Sequence, residues 1–201
     1  MLGDGFYPVS RADEVNPPQQ VEGVGPPMEW EGESGLVLMV PGAEPIVREL
    51  RYRFDPAAAA GVGAHITVLY PFVPLDSLDG GVEQAVALVA AGHGAFDLEL
   101  TAVRAWPDVV YLSMKPEAPV RALTGAMAAR WPDHPPYGGA FDDIVPHLTI
   151  GHGGEDLLAE AEAAVSPHLP VRARITEVSL VVLEGDRWRV HRTFPLGDVN
   201  V

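Results

Sequence analysis

"AHITVLY" at residues 64–70 and "VPHLTIGH" at residues 145–152 share one pattern, in which a histidine and a threonine alternate with aliphatic residues. Alternation with a period of two predicts a β-strand that carries the histidine and threonine on one face and the aliphatic residues on the other. A single His-x-Thr strand says little about a protein. Two copies in one chain indicate a duplicated architecture.

Similar elements surround the two motifs, which supports a duplication. Each copy lies in the order helix, His-x-Thr strand, helix, β-hairpin. The first half begins with a further strand at residues 35–41, and residues 55–63 read as a loop. The predicted helices are 43–55, 80–93, 118–131 and 155–169. The predicted hairpin strands are 96–106 with 109–115 and 171–185 with 187–196, joined by turns at Pro107-Asp108 and Gly185-Asp186.

This order of elements predicts an α+β protein with two related antiparallel sheets and a pseudo-twofold duplication. Residues 34–201 form the folded part, with lobes of roughly 34–116 and 117–201. Residues 1–33 are rich in proline, glycine and acidic residues without periodicity, which predicts an irregular N-terminal extension.

Composition restricts the class of protein. The 201 residues include no cysteine, which removes disulfides and thiolate chemistry and favours the cytoplasm. The apolar runs are shorter than the roughly 20 residues of a membrane helix. The N-terminus lacks the basic start and apolar centre of a secretory signal. We therefore expect a cytoplasmic monomer that does not enter a membrane.

The net charge argues against binding of long nucleic acids. Lys and Arg total 13 against 28 Asp and Glu, for a formal net charge of −15, and Lys115 is the only lysine. Proteins that hold long nucleic acids carry a basic stripe that neutralises phosphates. We expect at most a single phosphate or a short end to be bound in a local pocket.

The two motifs together have the groups for phosphodiester chemistry. If the sheets are related by a pseudo-twofold axis, the polar faces of both His-x-Thr strands point into one cleft. One of His65 and His147 then acts as base and the other as acid, because an imidazole titrates near neutrality. The near-symmetric motif does not determine which is which. Thr67 and Thr149 donate hydrogen bonds to the phosphoryl oxygens. This scheme needs no metal or other cofactor.

The paired "HITV" and "HLTI", in this order of elements, resemble the motifs of the 2H phosphoesterase superfamily. The stretch "FDPAAAAGVGAHITVLYPF" is most similar to its 2′-5′ RNA ligase-like branch, and the resemblance covers roughly residues 35–197. It implies a bilobal fold with helices outside and a central groove whose floor holds both histidines. By the resemblance, His65 and His147 match the acid–base pair, and Thr67 and Thr149 match the phosphate-binding hydroxyls.

The chain departs from the family pattern at the positions that clamp phosphate. Several relatives have an arginine three residues after the second threonine, where this chain has His152; the equivalent residue of the first half is Tyr70. A neutral histidine binds phosphate less well than a guanidinium, which is always charged. Tyr70, His152 and Arg189, which alternates with Trp188 and Val190, are further candidates for substrate contacts.

Three other groups of residues have competing interpretations. His147 and His152 with Asp142 and Asp143 suggest a metal site, but a five-residue spacing fits no familiar motif. Aromatic residues can stack on a nucleobase or pack in the core; they are Phe72, Trp106, Tyr111 and Trp188. Arg51 and Arg53 lie late on the first helix, where the helix dipole explains a positive charge.

The sequence therefore predicts a metal-independent phosphoesterase that hydrolyses a 2′,3′-cyclic or similar small phosphodiester of a nucleotide or RNA end. Ligation of 2′-5′ RNA is the enzymatic alternative, and the acidic net charge weighs against it. A catalytically idle module that binds nucleotides or RNA ends is the alternative from another class. In a third interpretation, residues 1–33 bind a partner protein.

Overall fold

The computed structural model describes residues 33–198, and the predicted extension over residues 1–33 lies, except for Glu33, outside the described residues. The helices are α1 (Glu44–Phe54), α2 (Pro56–Ala59), α3 (Gly80–Ala91), α4 (Ala118–Arg130) and α5 (Glu155–Val165). The strands are β1 (Ser34–Met39), β2 (His65–Leu69), β3 (Phe96–Trp106), β4 (Val109–Lys115), β5 (Leu148–His152), β6 (Val171–Ile175), β7 (Glu177–Glu184) and β8 (Arg187–Pro195).

The strands form two four-stranded antiparallel sheets, in the orders β2-β1-β7-β8 and β5-β4-β3-β6. The predicted α+β class with two antiparallel sheets is confirmed. Each motif strand, β2 or β5, is the edge of its sheet, and the two edge strands contact each other. In both sheets the motif strand pairs with the strand that precedes it in the chain, β1 for β2 and β4 for β5, which is the structural form of the duplication.

The two sheets exchange hairpins, which the sequence prediction missed. The hairpin β3–β4 pairs with β5, although it belongs to the first half of the chain, and the hairpin β7–β8 pairs with β1. Lobes of 34–116 and 117–201 therefore do not match the sheets. Strand pairing depends on long-range contacts, so the local pattern of a hairpin does not determine which sheet it joins.

Two segments differ in detail from the sequence prediction. Residues 171–185, predicted as one strand, break at Thr176 into β6 and β7, because β6 pairs with β3 and β7 pairs with β1. The predicted loop over residues 55–63 contains α2. Asp55 caps this helix by accepting a hydrogen bond from the Ala57 amide at 3.0 Å, and Pro56 occupies its first turn.

One hydrophobic core unites both sheets with the helices outside them. Helix α1 precedes β2 in the chain but packs against β5, while α4 precedes β5 and packs against β2. The buried core includes Leu38 and Ile66 of one sheet and Leu112 and Ile150 of the other. The described helices are all too short or too polar to cross a bilayer.

Helix α1 passes directly over Gly151 of β5. A Cβ atom at Gly151 would lie 2.5 Å from the Phe54 Cβ and 3.2 Å from the Phe54 carbonyl carbon. The distance of 2.5 Å is far inside van der Waals contact, and the distance of 3.2 Å, which involves backbone, is shorter than ordinary contact. The close packing of α1 on the motif strand therefore requires a residue without a side chain.

We predict that Gly151→Ala lowers the free energy of unfolding by about 1–3 kcal/mol, because an added methyl group in a packed core forces backbone shifts. Gly125→Ala in α4 is the control, since a Cβ there meets no atom within 4 Å. It should stabilise the protein by about 0.5–1 kcal/mol through helix propensity. Urea unfolding measures the free energy of unfolding of both variants. A Gly151→Ala variant as stable as wild type would contradict the described packing.

Candidate active site

A cavity of about 1030 Å³ lies between the two sheets and is lined by residues from both. Its lining includes His65 and Thr67 of β2 together with His147 and Thr149 from the start of β5. These four residues are the pairs that the sequence analysis singled out. The structure brings them into one groove because β2 and β5 are edge strands in contact with each other.

Both imidazoles are held by the same hydrogen bond. The Nδ1 atom of His65 lies 2.8 Å from the Gly63 carbonyl oxygen, and the Nδ1 atom of His147 lies 2.8 Å from the Val145 carbonyl oxygen. A carbonyl oxygen only accepts hydrogen bonds, so Nδ1 carries the proton in both rings. The Nε2 atom of each neutral ring is left free to take up a proton.

His65 lies next to a buried ion pair. Arg51 is only 2% exposed, and its Nη2 and Nε atoms donate to Asp55 Oδ2 at 2.7 and 3.3 Å. Burial of the imidazole, followed by the nearby Arg51 charge, lowers the pKa of His65 to about 4. The helix-dipole explanation of Arg51 is therefore incomplete, and the sequence offered only the i,i+4 spacing to Asp55 as a signal.

His147 is enclosed by aromatic rings. The Trp106 ring lies 4.9 Å from the imidazole, centroid to centroid, at an interplanar angle of 82°, and the Tyr111 ring lies 5.5 Å away. Burial of the imidazole lowers the pKa of His147, and His152 contributes in the same direction. Both histidines of the pair are therefore held toward the neutral form in the free groove.

Tyr137 joins the site, and the sequence analysis did not identify it. Its hydroxyl is hydrogen-bonded to Thr67, and burial raises its pKa to about 12. The residue has a φ of 53°, in the left-handed region, and Gly138 follows it with a φ of 65°. The Tyr137 amide donates to the Tyr70 carbonyl oxygen at 2.6 Å, which ties this loop to the end of β2.

The three further candidates for substrate contacts have different positions. Tyr70 lines the groove and donates a hydrogen bond from its hydroxyl to Glu33, and burial raises the pKa of Tyr70. His152 lines the groove at the end of β5. Arg189 is not part of the lining. Its side chain is 68% exposed, and its Nε atom lies 3.7 Å from Glu184 Oε2. Its alternation with Trp188 places it on the solvent side of β8.

The four aromatic candidates divide into two classes. Trp106 and Trp188 line the groove. Tyr111 is buried behind Trp106, with 4.2 Å between ring centroids, and Phe72 is buried against Trp131. Of these four aromatic residues, only Trp106 and Trp188 are therefore in place to contact a ligand in the groove.

The residues considered for a metal site do not form one in the described part of the chain. Asp143 is paired with Arg121, whose Nη1 lies 2.7 Å from Asp143 Oδ1. No group of three or more His, Asp or Glu side chains within residues 33–198 is arranged to hold a metal ion.

Comparison with known proteins identifies related sequences and folds. The family model of the 2′-5′ RNA ligase superfamily matches residues 40–187. Among solved structures, a phosphoesterase matches with a TM-score of 0.51 and 20% identity, over 90% of this chain and 100% of that one. E. coli LigT complexed with 3′-AMP matches with a TM-score of 0.52 and 21% identity, over 82% and 97%.

A protein from Thermus thermophilus matches with a TM-score of 0.53 and 15% identity, over 84% of this chain and 100% of that one. At these identities the structures show a common fold. A search of curated proteins finds no significant match.

The lowered pKa of His65 predicts how stability depends on pH. The unfolded imidazole has a pKa of 6.5 and the folded one about 4, so the unfolded chain binds an additional proton between these values. Stability from this group is present above pH 6.5 and is lost as the pH falls toward 4. At pH 4.5 the loss is about 2 kcal/mol by linkage.

We expect His65→Asn, which retains a side-chain donor for the Gly63 carbonyl, to lose less stability than wild type between pH 7.5 and pH 4.5. Urea unfolding at the two pH values gives the comparison. The same loss in both proteins would show that His65 is not held neutral by the fold.

Proposed function

Because the chain belongs to the 2′-5′ RNA ligase superfamily of 2H phosphoesterases, we propose that it hydrolyses a small phosphodiester, with the 2′,3′-cyclic phosphate of a nucleotide or RNA end as the favoured substrate. Membership of the superfamily supports a phosphoesterase-type activity in general. The observation that carries the specific proposal is the pair of imidazoles, each with a free Nε2, in one groove.

The proposed reaction uses the two imidazoles in opposite protonation states. The Nε2 of one histidine takes a proton from a water molecule, and the oxygen of this water forms a new bond to phosphorus. The Nε2–H of the other histidine gives its proton to the ribose oxygen as the P–O bond to that oxygen breaks. The product is a phosphomonoester, and the exchange of one proton with solvent restores the starting states.

The bound substrate itself makes one histidine the acid and leaves the other as the base. Burial lowers the pKa of both His65 and His147 in the free groove, which keeps them neutral. A bound phosphodiester anion favours the charged form of a nearby imidazole. One histidine therefore becomes the acid when the substrate binds, and the other remains the base.

Hydroxyl groups around the histidines complete the proposed site. Thr67 and Thr149 share the groove with the imidazoles and donate to the non-bridging phosphoryl oxygens. The Tyr137 hydroxyl, hydrogen-bonded to Thr67, orients one of these donors. Such donors stabilise the charge that develops on phosphorus-bound oxygens in the transition state.

A nucleotide is the ligand that best fits the remaining walls of the groove. Trp106 and Trp188 offer aromatic faces for a base. E. coli LigT, which has the same fold, has been solved with 3′-AMP, which supports a small nucleotide as ligand. The cytoplasmic location, the monomeric state and the independence from metal stay predictions.

The proposal is tested by turnover of a 2′,3′-cyclic nucleotide in EDTA. We predict that wild type is active and that His65→Ala and His147→Ala each lower kcat by about 10²–10⁴-fold, the range for loss of a general acid or base. His168→Ala is the matched control, since this exposed histidine lies outside the groove and should retain activity.

Four outcomes would contradict the proposal. Activity that EDTA abolishes would indicate a metal-dependent reaction. Variants as active as wild type would exclude the histidine pair from catalysis. A protein inactive on this substrate but active in joining 2′-5′ RNA ends would establish ligation in its place, and binding without turnover would indicate the idle module.

A further inference from the structure

The groove that holds the histidine pair has an unusual charge for a phosphate site. Its lining within residues 33–198 contains no lysine or arginine. It contains five carboxylates: Glu33, Asp55, Asp108, Asp143 and Asp186. A site that binds several phosphates needs positive charge to offset their mutual repulsion and desolvation.

Two of the five carboxylates are neutralised by partners outside the lining. Asp55 is paired with the buried Arg51, and Asp143 is paired with Arg121. Glu33 accepts the hydrogen bond from Tyr70 and has no Lys or Arg partner within residues 33–198. The negative charge of the lining that no Lys or Arg offsets therefore comes from Glu33, Asp108 and Asp186.

Asp108 and Asp186 have equivalent positions in the two exchanged hairpins. Asp108 lies in the turn between β3 and β4, and Asp186 lies in the turn between β7 and β8. Both are exposed, both line the groove, and neither has an ion-pair partner in the described part of the chain. The duplication thus places one unpaired carboxylate on each sheet at the groove.

An aromatic wall accompanies each of these carboxylates. Trp106 precedes Asp108 by two residues on the β3–β4 hairpin, and Trp188 follows Asp186 by two residues on the β7–β8 hairpin. Each side of the groove therefore offers an aromatic face beside a negative charge. An uncharged base or sugar fits such a wall, and a second phosphate is repelled from it.

We propose that the groove selects substrates whose only negative charge is the scissile phosphodiester, joined to uncharged aromatic groups, and that it discriminates against a second phosphate. This inference rests on the proposed function and specifies its substrate class. The one imidazolium that forms on binding is matched by the scissile phosphodiester itself, so the lining within residues 33–198 has no further positive charge to offset a second phosphate. Nucleoside 2′,3′-cyclic phosphates meet this rule, whereas RNA ends, 5′-phosphorylated nucleotides and polyphosphates violate it. The inference therefore narrows the proposed substrates to single nucleoside cyclic phosphates.

The test compares a nucleoside 2′,3′-cyclic phosphate with the same compound carrying a 5′-phosphate, at about 10 mM ionic strength. The added group brings a charge of about −1.5 to −2 near pH 7. We expect kcat/KM to be roughly tenfold lower for the 5′-phosphorylated compound. Repulsion between its added phosphate and the hairpin carboxylates, over about 10 Å in water, predicts a difference of this size. Raising the ionic strength to about 0.15 M should narrow the difference, because screening weakens repulsion.

Variants assign the effect to the hairpin carboxylates. The double variant Asp108→Asn and Asp186→Asn should reduce the ratio of the two kcat/KM values at least threefold at low salt. Glu162→Gln on the outer helix α5 is the matched control, because it removes a negative charge that is exposed and outside the groove. It should leave the ratio unchanged.

The possible results separate this inference from the proposed function. Equal kcat/KM for the two compounds, or a preference for the 5′-phosphorylated one, would overturn the charge rule while leaving hydrolysis established. If neither compound is hydrolysed, the proposed function fails, and calorimetric binding of the same two compounds decides the charge rule. Weaker binding of the 5′-phosphorylated compound would then support it, and equal binding or no binding of either would overturn it.

Discussion

The hydrogen bond from each motif imidazole to a backbone carbonyl two residues earlier is the interaction on which the site depends. It fixes the proton on Nδ1 of His65 and His147 and leaves both Nε2 atoms free. Because both carbonyls belong to the loops that lead into the motif strands, the fold itself sets the tautomer. Burial then holds both rings toward neutrality in the free groove. In the proposed reaction, a bound anion decides which ring becomes the acid.

The exchange of hairpins explains why two halves of the chain make one site. Each motif strand is the edge of its sheet and pairs with one neighbouring strand only. The two edge strands, β2 and β5, contact each other. The hairpin from the other half brings an aromatic wall to the opposite motif: Trp106, from the first half, contacts His147 of the second. The second half therefore does not contain a complete environment for its own histidine, which depends on rings of the first half.

The sequence predicts the local parts of this structure and misses the long-range ones. Period-two alternation locates the motif strands because it depends only on neighbouring residues. Residues 171–185 show the same alternation in whichever sheet they join, so the pattern does not reveal the break at Thr176. Arg51 reads as an ordinary residue near a helix end, and only packing shows that it is buried with Asp55. Tyr137 reaches Thr67 through a left-handed turn that no local pattern specifies.

NMR of the protein labelled with ¹⁵N-histidine tests the central claim most directly, because the nitrogen shifts report which ring atoms carry protons. At pH 7, the free protein should show His65 and His147 protonated at Nδ1 and bare at Nε2. Addition of a non-hydrolysable phosphonate analogue of a 2′,3′-cyclic nucleotide should protonate the Nε2 of one ring and perturb the other. A proton on either Nε2 in the free protein, or an analogue that affects only one histidine, would contradict a single site made from both halves.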